Sequence, residues 1–201
     1  MAKWYDSRKI GNRKAKKILV IVCEGQTECT YFNSYKERKS GLRIETLNCT
    51  ATDPQNLMNF ALKQKHELDD EDDVWCVFDL DNSTNEAIQR AIKLAEDKIK
   101  VCLSNPCFEL WYLLHFEYLD RNISTKDVQN KLEKHIKSYD KSKDYFKDIL
   151  FKIDVAIKNA KKLNLKHETS KTELLSVKSN PSTQVFQLVE HILETIKQNK
   201  K

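Results

Sequence analysis

Along this chain, short apolar runs alternate with longer stretches in which apolar residues recur every three or four positions. Ile18 to Cys23 (ILVIVC) and Val74 to Phe78 (VWCVF) are uninterrupted and strand-length, the pattern of strands covered on both faces. Ile99 to Leu103 reads as another strand. Arg43 to Asn48 reads as a fourth whose burial is less defined, because Ile44 and Thr46 alternate with Glu45 and Leu47. Helical spacing fills the gaps. One helix is expected from Gln26 or Thr27 to Lys39, stopped by Gly41. Asp53-Pro54 opens a second, to about Leu68, in the order of an N-cap followed by proline at the first helical position. Ala87, Ile88, Ala91, Ile92 and Ala95 stripe a third, over Thr84 to Asp97. Ser104-Asn105-Pro106 repeats the cap-and-proline signal and opens Cys107 to Phe116, apolar on nearly every side and therefore a core helix. Strand and helix alternate four times. The expected fold is α/β, with a central, mostly parallel four-stranded sheet flanked by helices.

After Asp120 the pattern becomes Lys-rich and helical, over about Lys126 to Lys137, Lys143 to Leu163 and Ser182 to Gln198. Val185, Leu188, Val189, Ile192 and Ile196 give the last of these an apolar face to pack on the core. The chain thus divides into a basic, mobile arm (1–17), an α/β core (18–120) and a helical region packed on that core (121–201). The run Asp69 to Asp73 reads as a solvated loop.

Composition narrows the class. Three Gly and three Pro argue against a loop-rich all-β design. The six cysteines form no CxxC pair, and Cys23, Cys76 and Cys102 lie in or beside expected strands, where a free thiol behaves as a small hydrophobe. No apolar stretch reaches the ~20 residues of a membrane span, and the N-terminus has no signal-peptide core. A soluble protein of the reducing cytoplasm, with no membrane partner, is expected.

The net charge of +5 conceals a partition. Residues 1–17 hold seven Lys or Arg against one Asp, residues 18–120 hold ten against nineteen acids, and residues 121–201 hold eighteen against ten. Basic ends flank an acidic middle. Solvated helix faces account for such blocks; phosphate binding beside an acidic centre accounts for them equally well. On the second reading, Arg8 through Lys17 and the Lys-rich face from Lys126 to Lys166 are the phosphate contacts.

The acidic middle has a focus. Ile18–Cys23 runs into Glu24-Gly25-Gln26-Thr27-Glu28, and Val74–Phe78 runs into Asp79-Leu80-Asp81. Ligands of open parallel sheets bind outside the strands' carboxyl ends, so these carboxylates are expected to meet there. Gly25 lets the backbone turn tightly, bringing Glu24 and Glu28 to one point. Asp79 and Asp81 share a face if the strand continues. Crowded carboxylates repel unless some take protons or a cation intervenes, and an oxygen-only donor set favours Mg²⁺, or Mn²⁺, over Zn²⁺. The alternative is that Glu24 and Asp79 merely cap the helices that follow. Asn105 and Glu109, on the same sheet edge, are candidates to orient water, a ligand or a phosphate, though Asn105 also suits a helix cap. His115 is better read as a hydrogen-bonded core group than as a proton donor, and Trp75, Trp111 and Tyr112 as packing groups rather than base-stacking platforms. Cys107 lacks a histidine partner to make it a nucleophile.

ILVIVCEGQTE followed by VWCVFDLDN resembles the Toprim domain, in which one strand ends in Glu-Gly and a later one in Asp-x-Asp. More narrowly, RKAKKILVIVCEGQTECTYF, VWCVFDLDN, LSNPCFELWYLLHF and NPSTQVFQLVE resemble the RloB family of bacterial defence-associated proteins, over nearly the whole chain. The resemblance implies metal-dependent phosphodiester chemistry. It places a general acid or base, or a metal ligand, at Glu24, metal ligands at Asp79 and Asp81, and a further ligand at Glu28. It also implies an AAA-type ATPase encoded nearby and a role in abortive infection against phage. Topoisomerase chemistry needs a tyrosine domain and gates for which the chain has no room, and a primase usually carries a zinc module that is absent here. A nuclease asks for the fewest further parts, with DNA or RNA, tRNA included, as substrate. The rival is a noncatalytic adaptor that keeps the scaffold to dock on the ATPase or a phage component.

Overall fold

In a computed structural model that describes residues 17–36, 42–49, 53–80 and 83–199, the apolar runs form one sheet. Its strands are β1 (Ile18–Cys23), β2 (Arg43–Asn48), β3 (Asp73–Asp79), β4 (Lys100–Asn105) and β5 (Ser182–Thr183), in the order β2-β1-β3-β4-β5. The first four are parallel, and β5 runs antiparallel to β4. The sheet therefore has five strands, not the four expected. β5 is too short to leave a periodic signature, and a polar hydrogen-bond set holds it: Ser104 Oγ lies 3.0 Å from Thr183 Oγ1. Gln184 finishes the edge by accepting from the Leu103 N–H and donating its own to the Leu103 carbonyl.

The helices are α1 (Gln26–Asn33), α2 (Pro54–His66), α3 (Asn85–Ala95), α4 (Glu109–Leu114), α5 (Thr125–His135), α6 (Phe146–Ile149), α7 (Ile153–Thr169) and α8 (Val185–Gln198). Side chains that alternate along the strands feed two cores. Leu19, Ile21, Cys23, Trp75 and Val77 pack with Tyr31, Trp111 and Leu188 from α1, α4 and α8. Ile18, Val20, Val22, Cys76 and Phe78 pack with Leu57, Met58, Ile88 and Ala91 from α2 and α3. A one-residue slip would exchange the two sets, and with each buried aliphatic side chain worth ~1.5–3 kcal/mol, the register is firmly held. Asp53 accepts from the Asn56 N–H at 3.0 Å and Thr84 from the Ala87 N–H at 3.3 Å, so the predicted starts of α2 and α3 hold.

Four local expectations change. The first helix ends at Asn33, where Asn33 accepts from Thr46 of β2 and Ser34 donates to Asp144, drawing the chain out of the helical path. Ser104 and Asn105 do not cap a helix: β4 continues through both, and α4 begins only at Glu109. The helix expected over Lys143 to Leu163 is broken into α6, a 3-10 turn at Leu150–Lys152 and α7. The acidic run is not all solvated. Asp72 is buried and accepts from the Ile18 N–H at 2.8 Å, while Asp73 contacts Lys17 at 2.8 Å, Lys100 at 3.1 Å and His191 at 2.9 Å. The basic residues Arg8 to Lys16, Gly41 and Asp81 lie outside the described residues. Among the described residues no helix is long and apolar enough to cross a membrane.

The strand order places β2 on one side of β1, while β3 and β4 lie on the other. The chain changes direction between β1 and β3, and the crevice at such a point is where ligands of α/β sheets bind.

Candidate functional site

Glu24 and Asp79 stand at that crevice and are joined to each other. The Glu24 N–H donates to the Val77 carbonyl at 3.0 Å, extending the β1–β3 ladder by one residue. Its side chain turns back so that Oε2 accepts from the Asp79 N–H at 3.1 Å. Neither residue caps a helix. The N-cap of α1 is Gly25 and that of α3 is Thr84, which removes the capping alternative.

Gly25 is extended, with φ −122°, so the turn itself does not demand glycine. Close approach does. A Cβ on Gly25 would lie 2.7 Å from Glu28 Oε2, and the missing side chain leaves room for that carboxylate to fold over the strand end. Glu28 is buried in the first turn of α1. Glu109, the first residue of α4, is buried as well and brings a fourth carboxyl from the β4 side.

These groups act on one another. Burial, then the charges of Glu109 and Glu24, push Glu28 up to about 7, against the pull of its own backbone N–H and of Lys141. Burial, then Glu28 and Glu109, hold Asp79 well above the usual carboxylate range, with the Phe108 backbone pulling the other way and Glu24 adding to the rise. Asp79 Oδ1 is enclosed and has no hydrogen-bond partner among the described residues. Among the described residues, Lys141 is the cation that faces the cluster. Lys141 Nζ sits 2.9 Å from Glu109 Oε1, and Tyr139 donates to the same oxygen at 3.4 Å. Burial lowers the Lys141 proton affinity, but Glu109, then Cys107 and Asp79, raise it above the usual value. Thr27 fastens the Lys141 loop to α1 by donating to the Lys141 carbonyl at 3.3 Å.

Glu24, Glu28, Asp79 and Glu109 are thus brought to one end of the sheet, with Asp81 outside the described residues. Asn105 is not among them: its Nδ2 donates to the Ser176 and Val177 carbonyls. Burial pushes His115 down to about 4, and its Nδ1 lies 2.9 Å from the Trp111 carbonyl, so it is a neutral core group. All six cysteines are free and buried, and burial pushes the Cys107 thiol up, away from the nucleophilic thiolate. Trp75 and Trp111 are core side chains, and so is Tyr112.

Two features bear on a bound cation. The donor chemistry, carboxylate oxygens and an orphaned enclosed Oδ1, suits a hard divalent ion such as Mg²⁺ or Mn²⁺. The geometry is less complete: among the described residues no three His, Cys, Asp or Glu side chains are gathered closely enough to hold an ion. Sequence reasoning missed Lys141 and Tyr139, which lie in the α5–α6 connection more than a hundred residues from the β1 end they face. No periodicity ties such a loop to the sheet edge. The available signal was Glu109 itself, a carboxylate in an apolar helix that calls for a cation from elsewhere in the chain.

Comparison with curated proteins and with solved structures returns no match for this chain. The family model for RloB-like proteins does match, over residues 19–192, a span that runs from the first residues of β1 through Glu24, Asp79, Glu109 and Lys141 into α8. The strand ends that carry Glu24 and Asp79, the helix start that carries Glu109 and the loop whose Lys141 pairs with it all fall inside that match, and the chain belongs to the RloB-like protein family.

Proposed function

We propose that this is a Toprim-like, metal-dependent nuclease that hydrolyses phosphodiester bonds of nucleic acid, with Mg²⁺ or Mn²⁺ held by Glu24, Glu28, Asp79 and Asp81. The observation that carries the reading is the Glu24–Asp79 junction at the β1–β3 crevice, with burial, then Glu28 and Glu109, raising the proton affinity of Asp79. A divalent cation, when bound, supplies positive charge to a phosphate and makes a water more acidic. The protein's own groups supply the rest. Asp79 presents an oxygen that has no competing partner among the described residues. Glu24 is positioned by the Asp79 amide. Glu28, held at about 7 in the metal-free chain by burial and by Glu109 and Glu24, gives up its proton as it joins the cation's ligands. Lys141, at the exposed lip, offers an ammonium to a phosphate oxygen. The Lys126 to Lys147 part of the basic segment supplies a path for the nucleic acid, DNA or RNA, tRNA included. We place the activity in antiphage defence under control of an AAA-type ATPase encoded nearby, as the resemblance implies.

The test is made in cells that coexpress the chain with the neighbouring gene product, because control by a partner would silence the isolated protein. Sequencing of nucleic-acid ends should show cuts with the wild type and their loss with Glu24→Gln or Asp79→Asn. Undiminished cutting by both variants contradicts the proposal.

A second reading, the noncatalytic adaptor, is favoured by one observation. Glu109 already has Lys141 and Glu24 already has the Asp79 amide, so part of the carboxylate charge is answered within the protein. An adaptor of that kind needs no metal, and calorimetric titration with Mg²⁺ and Mn²⁺ separates the two.

A further inference from the structure

Exposed large apolar side chains gather, among the described residues, along one stretch of the chain. Among the described residues, the large apolar side chains that stand exposed are Phe151 (76%), Leu165 (61%), Val155 (46%) and Val177 (38%). Three of these belong to the 3-10 turn and α7. Val155, Lys158, Lys162 and Leu165 are spaced three, four and three residues apart on α7, and Phe151 comes four residues before Val155. At ~100° per residue this spacing keeps the α7 positions within one sector about 80° wide, and the stripe from Phe151 to Leu165 runs about 20 Å. It is the alternating three-and-four pattern of a helix seam, apolar at both ends and cationic in the middle. The opposite face of α7, with Ala156, Ala160 and Leu163, is buried in the core and holds the seam rigid. Lys162 is further fixed, with Nζ 3.9 Å from the Tyr118 ring centroid. Lys161 and Lys166 flank the seam and are paired with Glu190 and Asp120.

Charge decides what can cover the seam. An antiparallel second copy that matches Val155 with the Leu165 of its mate brings Lys158 against Lys162, and a parallel copy in register sets each lysine against itself. The chain's own residues 1–16 carry six Lys or Arg and one Asp, the wrong sign as well. We propose that the Phe151–Leu165 seam is a docking site for an amphipathic helix of a partner protein, apolar at its outer contact positions and acidic at the two central ones. Apolar ends give contact area, and the central charges select the partner and its register. The inference is independent of the carboxylate centre.

Full-length chain is titrated into a fluorescently labelled synthetic helix of about 20 residues with leucines at the outer seam positions and glutamates at the central two. A second peptide carries lysines at the centre. Wild type should bind the acidic peptide and not the basic one. Leu165→Asp should lose at least about tenfold in affinity, a difference of ~1.4 kcal/mol. Lys158→Glu/Lys162→Glu should exchange the preference and take the basic peptide. Because these side chains are exposed, circular dichroism should show all variants folded. Equal binding of both peptides, no binding of either, or unchanged binding by Leu165→Asp overturns the proposal. So does a duplex RNA probe whose binding is lost in Lys158→Glu/Lys162→Glu yet kept in Leu165→Asp, which assigns the lysines to phosphate instead.

Discussion

Lys141 Nζ lies 2.9 Å from Glu109 Oε1, an ion pair between an exposed loop and a carboxylate that is only 2% accessible. The pairing explains how Glu109 is accommodated in the apolar start of α4, since a buried charge is costly unless it is answered. It also ties the α5–α6 loop to the sheet end that carries Glu24 and Asp79. Lys141→Met should leave Glu109 without its cation and destabilise the fold by about 1–3 kcal/mol. Adding Glu109→Gln should restore most of that loss, and urea denaturation of the four proteins of the cycle measures the coupling. Additive effects would show that the pair is idle.

Gly25→Ala separates fold from site. The backbone at Gly25 is one that alanine adopts without strain, and the new Cβ would meet only the end of the Glu28 side chain, at 2.7 Å. Stability should therefore change by less than about 1 kcal/mol, while the displaced Glu28 carboxylate weakens Mn²⁺ binding and nucleic-acid cleavage by about tenfold or more. A large drop in melting temperature would place the glycine's role in the fold instead.

The proton affinity of Glu28 sets a pH dependence. Folding raises it from 4.5 to about 7, so the folded, metal-free chain holds this proton more tightly than the unfolded chain does. Its contribution is full below about 4.5 and is lost as pH rises through about 7. Glu28→Gln mimics the protonated form and should become progressively more stable than wild type between pH 5 and 8, by about 1–3 kcal/mol. Saturating Mg²⁺ should reverse the order by stabilising the wild type alone. Thermal melts across that range, with and without metal, test both statements.

At the opposite ends of the strands Asp73 works in the other direction. Burial raises its pKa, but hydrogen bonds from His191, Lys17 and Lys100 outweigh burial and hold it far below the usual range. Its stabilisation is complete above the ordinary aspartate value, ~3.9, and fades as pH falls further. Asp73→Asn should cost about 2 kcal/mol at neutral pH, and the gap to wild type should narrow below about pH 4. A gap that does not vary with pH would assign the loss to packing.

Much of this architecture could be read from the chain because its signals are local. The apolar runs of β1 and β3 and the caps at Asp53 and Thr84 are fixed by residues within a few positions of one another. So was the placing of Glu24 and Asp79 at adjacent strand ends, which needs only the strand ends and the rule for parallel sheets. What escaped was set by distant partners. Asn105-Pro106 carries a strong helix-start signal, yet pairing of β4 with β5 some eighty residues later keeps Ser104 and Asn105 in a strand. Asp72 and Asp73 look like solvent residues until Ile18, Lys17, Lys100 and His191 come round to meet them. Lys141 is the same case at the site: one lysine among eighteen Lys and Arg in its region, singled out only by the loop that carries it to Glu109.

The central claim is that the β1–β3 crevice holds a divalent cation through Glu24, Glu28 and Asp79 with Asp81. Titration of the full-length, metal-stripped chain with Mn²⁺, followed by calorimetry and by the loss of free-ion electron paramagnetic resonance signal, tests it most directly. Saturable uptake at millimolar metal or below, weakened about tenfold or more by Asp79→Asn and by Glu24→Gln, is the predicted result. A chain that takes up no Mn²⁺ at millimolar concentration, or that takes it up equally with both carboxylates replaced, contradicts it.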